Sequence, residues 1–195
     1  REVAPFDDPR IRRAMALTLD REAFIRILSE GEGRMGGALL PPPDGVWGLP
    51  EEKLKGLIGY GDVEKSREEA RKLMKEAGYG PDKRLKLKVS TRNIATYKDP
   101  AVILIDQLKQ IWIDAELEII DTTIYYNRVF KKDYVVALNL TGSAVDDPDV
   151  TLFEGYACGS LRNYNNYCDP EMTRLFEEQS RETDRGKRQE MVWAI

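Results

Sequence analysis

The chain has 195 residues, 42% of them hydrophobic and 33% charged, with a formal net charge of -4. That length suits one domain or two small ones with a real core, and the acidic balance argues against nucleic acid as a partner. No apolar run approaches the length of a membrane span, and histidine is absent, which excludes Ser-His and Cys-His nucleophile schemes within the chain and removes the commonest zinc ligand.

In chain order, Asp7 to Leu17 predicts a helix capped by aspartate, with Pro9 in its first turn. Asp20 caps a second helix whose apolar face is Ala23, Ile27 and Phe24, ended by glycines from Gly31. The run Pro41-Pro42-Pro43-Asp44-Gly45 cannot be helical and reads as a surface loop. Asp62 caps a helix from Val63 to Ala77, with Ala70, Leu73, Met74 and Ala77 inward and Gly78 closing it.

Leu85 to Val89 alternates as a half-buried strand. Asp99-Pro100 reads as the start of a helix that turns Ile103, Leu104, Leu108 and Ile111 inward. Glu116 to Ile120 is a second strand, Tyr125 to Phe130 a short helix, and Tyr134 to Leu140 a more buried strand. Helices from Asp169 and Asp184 complete the chain. Strands alternating with helices predict an α/β layer with parallel pairing.

Ligands of open α/β sheets sit beyond the carboxyl ends of strands. Two loops qualify: the one after Ser90, with Arg92 and Tyr97, and the one after Leu140, with Thr141, Gly142 and Ser143. Arg92 is either a bidentate clamp for a carboxylate or a solvated loop arginine. Asp-Pro occurs at residues 8–9, 99–100, 147–148 and 169–170, each time fitting a helix N-cap followed by proline. That accounts for Asp147 and, through the helix dipole, Asp149. Asp146 is left over: it holds an amine, binds a cation or faces water.

Acid–base work by this acidic turn is disfavoured, because neighbours in a DDPD turn rarely face each other across a substrate. The tyrosines 156, 164 and 167, with Trp47, either line a polar pocket or pack loops down. Cys158 and Cys168 suit a small disulfide-closed loop rather than CxxC redox or metal chemistry, with two free thiols as the alternative. A disulfide implies an oxidising compartment.

The opening P-F-D-D-P-R-I-R-R-A-M-A-L-T-L-D-R-E-A-F resembles the start of the second lobe in the peptide/nickel family of extracellular solute-binding proteins, which serve ABC importers. L-L-P-P-P, E-E-A-R-K-L-M-K-E-A-G-Y-G, Q-L-K-Q-I-W-I-D-A-E-L-E, D-D-P-D-V-T-L-F, N-Y-N-N-Y-C and E-T-D-R-G-K-R follow in the family's order. The resemblance covers essentially the whole chain. It implies a periplasmic-binding-protein-like lobe, a mixed sheet flanked by helices. Residues 1–195 would be most of the C-terminal lobe of a two-lobed protein, without the N-terminal lobe and the final return segment.

It further implies binding without catalysis, no cofactor or metal, and a periplasmic location. The partners implied are a peptide or related polar solute and a membrane ABC permease. Sugars, opine-like compounds, metal chelates and a sensory role are the alternatives. Tyr97, Thr141, Gly142 and Ser143 are the expected ligand contacts from this lobe, with Arg92, Asn139 and Asp146 beside them. Dipeptide binders of the family carry a cysteine pair around an N-Y motif, which implies that Cys158 and Cys168 are bonded. The same binders place an aspartate after Thr-Gly to hold the peptide's amino terminus, and an Arg-Pro-Tyr against its carboxylate. Here Ser143 follows Thr141-Gly142, and Ala95-Thr96-Tyr97 stands at the second motif, so Arg92 is the available stand-in for the missing arginine.

Overall fold

The computed structural model describes residues 3–142 and 144–195. The elements in order are α1 Pro9–Thr18, α2 Arg21–Leu28, α3 Glu51–Leu54, α4 Val63–Glu76, β1 Leu85–Arg92, α5 Ala95–Lys109, β2 Ile113–Ile120, α6 Thr122–Phe130, β3 Val136–Ala137, α7 Pro148–Tyr156, α8 Pro170–Arg181 and α9 Arg185–Ala194. They fall into two compact units. The first combines the stretch ending at Gly33 with Lys55–Leu140; the second combines Arg34–Leu54 with Thr141–Ile195.

The first unit is built on a parallel sheet in the order β2-β1-β3. The register pairs Leu85 with Ile113 through to Arg92 with Ile120, and Val89 with Val136 on the other side. Alternation along β1 turns Leu85, Leu87 and Val89 into the core, where Ile11, Ala14 and Leu17 of α1, Ala70 and Met74 of α4, and Ala101 and Leu108 of α5 meet them. Lys86 and Lys88 therefore lie on the opposite face, in register with Asp114 and Glu116 of β2. On that face the Ser90 hydroxyl donates to Glu118 at 2.6 Å and Arg128 of α6 approaches the same carboxylate at 3.4 Å. The Ser90 bond, set against partial burial and helped by Arg128 and Lys88, holds the Glu118 carboxyl below its ordinary range.

Aspartate side chains accept the first free helical N–H groups as predicted: Asp8 from Arg10, Asp20 from Ala23 and Asp62 from Lys65 in the first unit. Asp147, Asp169 and Asp184 do the same in the second. Asp99-Pro100 departs from the pattern. α5 already begins at Ala95, and Pro100 lies inside it, buried against the sheet. The first turn forms because Tyr97 N–H and Lys98 N–H both bond to Ile94 O at 3.0 Å. That turn is upstream of the proline, whose missing donor interrupts the ladder only locally.

Two further expectations are corrected. Ile27 of α2 is 60% exposed rather than inward, so Ala23 alone is buried on that helix. The expected strand from Tyr134 to Leu140 pairs as a strand only at Val136 and Ala137. It borders β1 on one side alone, and its residues are half-buried or exposed instead of sandwiched. Pairing with β1 nevertheless continues one step, because Leu138 N–H bonds to Ser90 O at 2.9 Å.

The second unit has a smaller apolar cluster, Leu152, Ala157 and Phe176, with Phe153 edge-on to Phe176 at 5.9 Å. Polar groups supply much of its fastening. Cys158 and Cys168 form a disulfide. Inside that loop the buried Asn163 side chain donates to Ala157 O at 3.1 Å and accepts from Tyr167 N–H at 3.2 Å. Arg188 of α9 donates to Asp147 at 2.9 Å, Asp149 at 3.2 Å and the Gln179 side chain at 3.0 Å, and lies 4.8 Å over the Trp47 ring. It ties the starts of α7 and α9 to α8.

Candidate functional site

In the first unit, the carboxyl end of β1 brings together residues from four segments. Alternation puts Arg92 on the α6 face of the sheet, while Thr91 points the other way and is fully buried. The Thr91 hydroxyl sits between the carbonyls of Tyr97 and Leu138, at 3.1 and 3.3 Å, and so fixes the first turn of α5 and the chain after β3 to the end of β1. Tyr125 of α6 donates its hydroxyl to Leu138 O at 2.9 Å, which binds the fourth segment.

These contacts hold the Arg92 guanidinium between two aromatic rings, 4.6 Å from the Tyr97 centroid and 5.2 Å from that of Tyr126. Both tyrosine hydroxyls accept from Nη1, at 2.9 and 3.4 Å. Among the described residues no carboxylate pairs with Arg92, and its Nε is buried without a hydrogen-bond partner. Nε and Nη2 form the edge of a guanidinium that meets a carboxylate in bidentate fashion; here Nη1 is occupied and that edge is not. An unpaired buried donor is costly, and buried polar groups left unpaired are uncommon in folded proteins.

Asn139 supplies the complementary group. Continuing the β1–β3 register by two residues beyond Ser90–Ala137 sets Asn139 opposite Arg92. Its Oδ1 is also buried without a partner. A donor edge and an acceptor thus stand unsatisfied at neighbouring register positions of one sheet end. Tyr97, Arg92 and Asn139, all predicted from the sequence, meet here. Tyr126 was not predicted. Its signal was the pair Tyr125-Tyr126 just after the carboxyl end of β2, the location where an α/β sheet places ligand contacts.

The remaining predicted contacts belong to the second unit. Thr141 and Gly142 are exposed, and Ser143 lies outside the described residues. Asp146 is also exposed, but its carboxylate accepts from Val46 N–H at 2.8 Å and its carbonyl from Trp47 Nε1 at 2.9 Å, a use the sequence does not display. Trp47 packs, being only 8% exposed. For Asp147, burial pushes the carboxyl up, but Arg188 and the Asp149 N–H outweigh it and hold the group below its ordinary value. Among the described residues no cluster of His, Cys, Asp and Glu could hold a metal ion, and no helix is long and apolar enough to cross a membrane.

The family described as bacterial extracellular solute-binding proteins, family 5 Middle, matches residues 1–162. The chain is 26% identical over 195 residues to the oligopeptide-binding protein OppA of Bacillus subtilis, a match taking in 98% of this chain and 35% of that protein. It is 34% identical over 91 residues, 45% of this chain and 15% of the relative, to the di/tripeptide-binding protein 2 of Pseudomonas aeruginosa. The solved structure of Haemophilus influenzae OppA in complex with RPPGFSPFR has the same fold, with a TM-score of 0.79 at 24% identity over 99% of this chain and 37% of that one. So does DppA from Helicobacter pylori in complex with the peptide STSA, with a TM-score of 0.77 at 21% identity over 99% of this chain and 36% of that one. The chain spans about a third of the length of the curated relatives it matches over nearly its whole length.

Proposed function

This chain belongs to the bacterial extracellular solute-binding proteins of family 5, and from that premise we propose that it is the peptide-binding part of a protein that supplies an ABC importer. Members of this family bind solutes and are not enzymes. We take residues 1–195 as most of the C-terminal lobe of a two-lobed periplasmic protein. Contacts to ligand from both lobes would stabilise the closed form, and the membrane permease would recognise that form.

The observation that carries the reading is Arg92: a guanidinium stacked by Tyr97 and Tyr126, with no carboxylate partner among the described residues and with Nε unpaired. A peptide's terminal carboxylate is a planar anion that fits its open edge. Asn139 Oδ1 beside it would accept an N–H from the same ligand. Thr141, Gly142 and Ser143 would contribute main-chain and hydroxyl contacts to the peptide backbone. The relatives named for oligopeptides and di/tripeptides support the same ligand class.

The test is a thermal-shift series on the complete two-lobed protein with trialanine, maltose and a nickel chelate. Trialanine should raise the melting temperature in proportion to saturation, since a ligand that binds only the folded state stabilises it by mass action. A shift with maltose or the chelate, and none with trialanine, would overturn the peptide assignment.

A further inference from the structure

The proline loop of the second unit is a fixed body. Gly45 N–H bonds to Pro41 O at 3.0 Å and Gly48 N–H to Leu40 O at 3.1 Å. From α9, the Gln189 side chain donates to Val46 O, and Trp193 Nε1 donates to Gly48 O at 3.1 Å. A Cβ on Gly45 would lie 2.6 Å from both Leu40 Cβ and Leu40 O, and 3.1 Å from Asp146 Oδ1, so the loop and Asp146 are fitted to a bare backbone at that position.

Asp146 meets this body twice, through its carboxylate on Val46 N–H and its carbonyl on Trp47 Nε1. The next residue, Asp147, is held by Arg188. The segment bearing Thr141 and Gly142 therefore ends in two consecutive residues with fixed partners. We propose that Asp146 is a positioning residue, whose acceptor oxygen fastens this segment to the proline loop and whose negative charge is not what matters. In its functional half this inference rests on the peptide-binding reading above: a segment held in place loses less freedom when ligand binds.

A neutral amide oxygen accepts the same hydrogen bond as a carboxylate, which separates a latch from an acid that grips an amine. The experiment compares Asp146→Asn, Asp146→Ala and Gly45→Ala in the complete protein. Its readouts are trialanine affinity by calorimetry and amide hydrogen exchange at Val46. D146N should stay within about twofold of wild type in both. D146A should weaken trialanine about tenfold, the scale of one lost hydrogen bond, and speed Val46 exchange by a similar factor; G45A should speed it too by displacing the loop. If D146N and D146A lose affinity alike while Val46 exchange stays at the wild-type rate, Asp146 grips the ligand and the latch is wrong. It is equally wrong if D146A changes neither readout. Should wild type bind no trialanine, the peptide reading fails, and Val46 exchange alone decides the latch.

Discussion

The two units hold themselves together by different means. The sheet unit relies on an apolar layer, from Ile11 and Met74 to Val89 and Leu108, with a parallel ladder through it. The second unit has a three-residue buried apolar cluster and depends on a disulfide, a buried asparagine and an arginine shared by two aspartates. In the sheet unit the candidate ligand group, Arg92, sits where the strand ends, outside the hydrophobic layer. Binding and stability are separable there. In the second unit the segment with Thr141 and Gly142 is held by the same polar contacts that hold the unit, so a change to one is a change to the other.

Equal deletions in the two cores test this contrast most strongly. Leu108→Ala removes a fully buried side chain from the sheet unit and should cost about 3 kcal/mol, whereas Leu152→Ala at the smaller cluster should cost about half as much, since its surroundings can collapse into the gap. Chemical denaturation followed by hydrogen exchange in each unit would show it; equal costs would erase the distinction. Next is the Cys158→Ser/Cys168→Ser pair. Opening this short loop should destabilise the second unit by about 2–3 kcal/mol in the chain-entropy account and leave exchange protection of β1 and β2 unchanged. Loss of protection in the sheet would mean that the units do not fold separately.

Arg188→Met should cost about 1–3 kcal/mol, between the values for exposed and buried ion pairs, and should also change the response to acid. The folded-state value of Asp147 lies below its ordinary 3.8. Its contribution is therefore present above about pH 4 and is lost as pH falls through the folded value. Wild type should weaken in the second unit below that pH, and the variant should show a shallower acid dependence. An unchanged acid profile would remove Arg188 from the account.

Much of the architecture was legible because it is local. Asp8, Asp20, Asp62, Asp147, Asp169 and Asp184 announce their helices by sequence alone, since a cap depends on residues two or three apart. The same signal misled at Asp99-Pro100, where tertiary burial of Pro100 and bonds to Ile94 O pulled the helix start one turn upstream. That extra turn is the one that delivers Tyr97 to Arg92. Arg188 was illegible for the opposite reason: its contacts with Asp147 and Asp149 span 41 and 39 residues, a distance over which neither capping nor periodicity carries information. Tyr126 reached Arg92 over 34 residues and was missed likewise.

The central claim is that the end of β1 recognises a carboxylate. It is tested most directly by titrating the complete protein with trialanine and with its C-terminal amide, in wild type and in Arg92→Met. Wild type should prefer the free acid by about 100-fold, the scale of a desolvated charge pair losing one partner. R92M should bind both weakly and without preference, at an unchanged melting temperature, because it discards a buried unpaired donor. Equal binding of acid and amide by wild type, or a preference that survives R92M, would contradict the account.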